Sequence, residues 1–81
     1  MKDEKIIARI ARNSTDEAVV RIGNHWNIDI LDIRWYKNGN PTHKGIRVNK
    51  DEAKILLGAI KKANKVLGDK YGLQERDEGQ D

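Results

Sequence analysis

Residues 31–67 read LDIRWYKNGNPTHKGIRVNKDEAKILLGAIKKANKVL, and their pattern organises the rest of the chain. Leu31, Ile33 and Trp35 alternate with Asp32, Arg34 and Tyr36, the period-two pattern of a half-buried strand. Asn38-Gly39-Asn40-Pro41-Thr42 is a loop by composition, and Pro41 has no N–H to donate to a ladder. Lys44–Asn49 predicts a second strand, with Ile46 and Val48 on one face and Gly45 and Arg47 on the other. Asn49 is then placed to cap a helix, with Glu52 as its capping-box partner three residues later. Asp51 and Glu52 suit the positive end of that helix. Ala53, Leu56, Leu57, Ile60, Ala63 and Leu67 recur at helical spacing, and Ile55, Ala59 and Val66 widen the stripe. Lys54, Lys61, Lys62 and Lys65 occupy the other face, and Gly68 is expected to end the helix. Gly58 lies mid-helix, where glycine costs about 1 kcal/mol relative to alanine, so close approach by another backbone is expected there.

Upstream, Lys5–Arg12 alternates in the manner of a strand, with helix the alternative for IIARIA because Ala and Arg favour it, and Asn13-Ser14-Thr15-Asp16 is a cluster of turn formers that fits a hairpin better. Ala18–Gly23 is short and β-branched, a second strand, and Asn24-His25-Trp26-Asn27 breaks it. Ile28–Lys37 is the longest strand. Its apolar phase slips at Ile30-Leu31, which predicts a bulge that bends and twists the sheet. From Asp69 onward, five acids stand against two bases with almost no apolar content. The expected organisation is thus α+β, four antiparallel strands followed by one helix (ββββα). One domain spans 1–71, and 72–81 form a flexible acidic tail.

Composition narrows the function classes. At 81 residues the chain buries little surface, and with no cysteine it has neither a disulfide framework nor a thiolate metal site. Oligomerisation is the remaining device for a domain of this size. The first residues, MKDEKIIARIAR, interrupt every apolar run with charge, unlike a secretory signal. No run approaches the roughly 18 apolar residues of a membrane span, so the chain is read as soluble and cytoplasmic, without a membrane partner. Ser14 is the only serine and has no glycine-rich elbow around it, while His25 and His43 lack any metal-ligand spacing. Asp29 and Asp32 fall on opposite strand faces, and no phosphate-cradling loop precedes the helix. The expectation is a non-enzyme with no cofactor and no metal.

Charge points to a polyanion. The chain carries +3 overall, yet Ile33–Leu67 holds nine Lys/Arg against two acids, a net of +7. Arg34, Lys37, Lys44 and Arg47 lie on adjacent hairpin strands, and such a concentration of cations repels itself unless an anion or acids lie near. Trp35 and Tyr36 interleave with them, as single-stranded nucleic acid requires: cations for the backbone, aromatic faces for the bases. Trp35 shares the parity of Leu31 and Ile33 and is expected in the core. Tyr36 shares that of Arg34 and is the better stacking candidate. Trp26, in a polar turn, is equally a groove wall or a hairpin cover, and Arg9 and Arg21 would extend the groove.

The run Leu31-Asp32-Ile33-Arg34-Trp35-Tyr36, a short polar loop, Lys44-Gly45-Ile46-Arg47-Val48-Asn49 and a capped helix resembles the positive cofactor four family of transcriptional coactivators. The match is specific over residues 31–60 and looser over 5–30. The resemblance implies a strongly curved four-stranded sheet backed by the helix, dimeric through helix and sheet. Leu56, Leu57, Gly58, Ile60 and Leu67 would then lie at the dimer interface. It also implies grooves binding single-stranded DNA with little sequence preference, in transcription, replication or repair. The family's strand arginine falls on Arg34 and the lysine before its fourth-strand glycine on Lys44, with His43 in the basic position preceding it. Its aromatic at the end of the third strand is Lys37 here, and its hairpin aromatic lies near His25 or Trp26. The chain lacks the Ser/Lys-rich leader of the eukaryotic members and looks like a bare, bacterial-like version, which would be nucleoid-associated. Two other classes remain open: a protein-interaction module, and an RNA-binding accessory, since bases of either sugar can stack.

Overall fold

The computed structural model describes residues 1–71 in the order β1 (Lys2–Ala11), β2 (Asp16–His25), β3 (Ile28–Lys37), β4 (Asn40–Asn49) and α1 (Lys50–Tyr71). The acidic segment 72–81 lies outside the described residues. The strands form one antiparallel sheet in sequence order, β1-β2-β3-β4. Each connection is tight because its residues accept the backbone that it needs. Asn13 makes the first turn: its Oδ1 accepts from the backbone N–H of Thr15 (2.9 Å) and of Asp16 (2.8 Å). Trp26 and Asn27 form a two-residue hairpin turn, both at positive φ (54° and 64°), and Asn38 and Gly39 form another (52° and 81°). The Asn-Gly pair is the stronger hairpin signal, and it shortens the predicted loop 38–42 to two residues, so β4 begins at Asn40 and takes in Pro41. Pro41 is tolerated because β4 is an edge strand. The Asn38 N–H donates to the Thr15 carbonyl at 2.8 Å, so the β1–β2 and β3–β4 turns meet at one end of the sheet.

The bulge expected at Ile30-Leu31 is absent: β2 and β3 pair without a register shift from His25↔Ile28 to Asp16↔Lys37. Ile30 is out of phase for another reason. It shares the face of Asp32, Arg34 and Tyr36, and it is buried there beside charged groups. The irregularities lie in the outer pairs, within β1 and between Arg34 and Tyr36 of the β3–β4 ladder. At the second of these, Gly45 is required. A Cβ there would stand 2.5 Å from the Ile33 carbonyl oxygen and 2.8 Å from the Arg34 Cα.

The core is small and lies on the Arg34 face, where Val19 is fully buried and Ile30 and Tyr36 nearly so. The other face carries Ala18, Val20, Ile22, Leu31, Ile33, Trp35, Ile46 and Val48, and it is only partly covered. The capping box forms as expected: the Glu52 N–H donates to Asn49 Oδ1 and the Asn49 N–H to Glu52 Oε1, both at 2.9 Å. From there α1 touches, among the described residues, only β3 and β4, with Ala53 and Leu56 half-buried, and it continues through Gly68 to Tyr71 rather than ending at the glycine.

The curved, dimeric architecture implied by the resemblance is therefore corrected. The sheet is open, with β1 and β4 as free edges, and the central β2–β3 pair lacks the bulge that would have bent it. The structure is that of a single chain in which the helical stripe points outward. Leu57, Ile60 and Leu67 are each more than half exposed, and a Cβ on Gly58 would meet nothing.

Candidate nucleic-acid interface

Two groups of cations emerge from the sheet, and they differ in kind. The first surrounds Asp32, which is fully buried. Cross-strand register puts Arg21 and Arg47 on either side of it, and the pleat brings Arg34, two residues along, to the same face. Arg21 Nε donates to Asp32 Oδ2 at 2.8 Å. Arg34 Nη2 donates to Oδ1 at 2.9 Å and its Nε to Oδ2 at 3.2 Å, while Arg47 Nε reaches Oδ1 at 3.4 Å. Arg21 Nη1 also donates to Glu4 at 2.9 Å, and Arg34 Nη1 to the Thr42 carbonyl at 2.8 Å. Burial pushes the Asp32 carboxyl up, but hydrogen bonds from Arg34 and Arg21, with their charges, hold it below the usual carboxylate range. For Arg21, burial alone would lower the pKa, and Asp32 and Glu4 raise it instead. Asp32 is thus the acid that relieves the repulsion expected of the basic hairpin. Its spacing from Arg34 was the available signal.

The second group is outward-facing and sits where the two turns meet. Arg34 pairs with Gly45 and Tyr36 with Pro41, so Thr42, His43 and Lys44 together lie opposite the single residue Trp35. The Thr42 hydroxyl donates to the Trp35 carbonyl (2.7 Å) and accepts from the Lys44 N–H (3.2 Å), which holds this wide bulge in place. Bulges of this kind re-aim side chains and recur beside functional sites. Trp35 and Lys44 line two shallow recesses, one of about 300 Å³ shared with Arg12, Asp16 and Lys37, the other of about 380 Å³ floored by Ala18, Ile33 and Ile46. The Arg12 guanidinium lies 4.2 Å from the centroid of the Trp35 ring.

Lys37 and Lys44 line the recess beside Trp35, and exposed His43 lies in the bulge opposite it. Arg34 and Arg21 are held in the Asp32 network, with Arg47 at its more exposed edge. Arg9 forms a surface pair with Glu17 at 3.6 Å. Tyr36, the expected stacking residue, is only 6% exposed with the Arg21 guanidinium 5.9 Å from its ring centroid, so it offers no open face. Trp26 is 85% exposed and stacked on His25 at the tip of the opposite turn. Seven residues of β3, 28–34, separate that turn from Trp35, roughly 23 Å at strand rise, so the two do not share a recess. Parity assigns Trp35 to the core, and Arg12, to which the sequence gives no role, reaches its ring only because the hairpin turn folds back.

A larger recess of about 500 Å³ lies between Ile22, Ile30 and Leu31 of the sheet and Asn49, Lys50 and Ala53 of the helix start. It is a gap left by the sparse helix–sheet packing and has no convergent cations. Among the described residues, no group of three or more His, Asp or Glu could hold a metal ion, and no helix is long and apolar enough to cross a membrane. Compared with models of protein families, with curated proteins and with solved structures, the chain matches none.

Proposed function

We propose that the chain binds single-stranded DNA without sequence preference, as a binding protein rather than an enzyme. The observation that carries this reading is the outward cluster of Arg12, Lys37 and Lys44 around a half-buried tryptophan, with Asp16 as the one acid in the recess. Cations beside a partly exposed aromatic ring match a polyanion whose bases can turn outward. The resemblance of residues 31–60 to the positive cofactor four family points the same way. In this role the protein works in the cytoplasm, at the nucleoid if the chain is bacterial, during transcription, replication or repair. Lys44 and Lys37 supply the first phosphate contacts, with Arg47, His43 and Arg9 along the sheet. Fluorescence anisotropy with a labelled single strand and a duplex of equal length tests this. Single strand binds more tightly, because duplex bases cannot reach the tryptophan. Equal binding of the two, or none, would refute it. An RNA strand of the same length, used as competitor, separates a DNA preference from a general single-strand preference.

A second reading, a protein-interaction module, is favoured by the outward apolar stripe of Leu57, Ile60 and Leu67. It requires that nucleic acid be poorly retained at physiological salt, and that a charged residue at Ile60 abolish capture of one specific protein.

A further inference from the structure

On the single-strand reading, we propose that Trp35 is the base-stacking platform, that Arg12 covers it in the free protein, and that an incoming base displaces the Arg12 guanidinium onto the adjoining phosphate. Three features converge on this. The Arg12 guanidinium lies 4.2 Å from the centroid of the Trp35 ring, a position that a stacked base would need, and it has no ion-pair or hydrogen-bond partner among the described residues. The β3–β4 ladder is opened at Trp35, where three residues of β4 face one of β3 and Lys44 lines the same recess as the ring. The two other accessible or expected aromatics do not compete. Tyr36 is buried, and Trp26 stands at the far end of the sheet without this ring of cations.

The exchange is favourable in its parts. A guanidinium over a partly exposed ring is held more weakly than a nucleobase on the same ring. Once displaced, Arg12 is released beside Lys37 and Lys44, where a strand's phosphates would pass, and gains a charge-assisted contact. The free protein therefore keeps its one sheet-face tryptophan shielded, and the same arginine that shields it becomes a backbone contact when a strand arrives. Nothing here is sequence-specific, since every base has a π-face.

The test measures anisotropy of labelled oligothymidylate and of an abasic strand of the same length, about twelve nucleotides. Both strands are titrated with the native chain and with Trp35→Leu, Trp35→Phe and Arg12→Ala, each checked for folding by circular dichroism. The native protein should prefer the strand with bases. Trp35→Leu should weaken oligothymidylate binding about 5- to 150-fold while leaving abasic binding and the salt slope unchanged, and Trp35→Phe should retain most of the affinity. Arg12→Ala should reduce the slope of log K against log salt by about 0.7, one phosphate contact. If Trp35→Leu weakens both strands equally, or neither, the platform is refuted while single-strand binding stands. If Trp35→Leu does not fold, the other two decide: a large loss in Trp35→Phe on both strands, or an unchanged slope in Arg12→Ala, refutes the proposal. If the native protein binds neither strand, this inference falls together with the function on which it rests.

Discussion

Asp32 shows how one buried carboxylate determines what its neighbours are available to do. With no exposure and donors from Arg21, Arg34 and Arg47, it offsets part of the charge of cations that would otherwise repel across adjacent strands. Removing one member of such a network leaves the others buried and unpaired, at a cost of about 3–5 kcal/mol. Asp32→Asn should therefore shift the urea midpoint strongly downward with little change in m. The pH dependence follows from the same contacts. Arg34 and Arg21 depress the folded-state pKa, so the stabilisation is fully present above the unfolded carboxylate value of about 3.9. It is lost as pH falls through the lower folded value, and Asp32→Asn should lack this acid limb in a pH series of melts. Arg34, tied to Asp32 and to the Thr42 carbonyl, belongs to the scaffold first. Arg34→Ala should lower stability more than Lys44→Ala does, while Lys44→Ala makes the larger change in salt slope.

Among the elements, β3 and α1 contrast. β3 is paired on both sides, and its ends agree with the alternating pattern because the Trp26-Asn27 and Asn38-Gly39 turns leave no other register. α1 is started by a reciprocal cap but makes only slight contact with the sheet. Its formation therefore depends on local terms more than a well-packed helix does. Asn49→Ala removes the cap and should cost about 1 kcal/mol. The loss should show as reduced helical ellipticity at 222 nm, with the sheet's near-ultraviolet signal from the tryptophans largely unchanged. If both signals collapse together, α1 and the sheet fold as one unit.

For the molecule as a whole, the distribution of charge matters more than its total. If a strand engages about four phosphates, log K should fall against log salt with a slope near −3. Residues 72–81 carry four acids against one arginine, charge of the same sign as phosphate. A chain ending at Tyr71 should bind a single strand as tightly or more tightly, by the same titration. A weaker complex would mean that those residues contribute to the interface. The open sheet also leaves Ile22, Ile46 and Ile10 of the second face substantially exposed, alongside the outward stripe of α1.

What the sequence determined by itself was local. Four strands, their order and the helix start follow from alternation, turn chemistry and capping, which act between residues a few positions apart. The Asn38-Gly39 turn was equally local, and its signal lay beside Pro41, whose effect on the ladder is harmless at an edge. The tertiary structure alone decided which side of the sheet buries the core and which cations stay free. A period of two places Trp35 with the apolar set and Tyr36 with the charged set, yet Tyr36 is the more deeply buried. Alternation tells which residues share a face. Burial depends on what packs over that face: here the arginines of neighbouring strands close over Tyr36 and Asp32, while the helix barely covers the apolar side. Arg12 meets Trp35 only through a folded turn and a wide bulge, and neither contact is encoded at any fixed spacing along the chain.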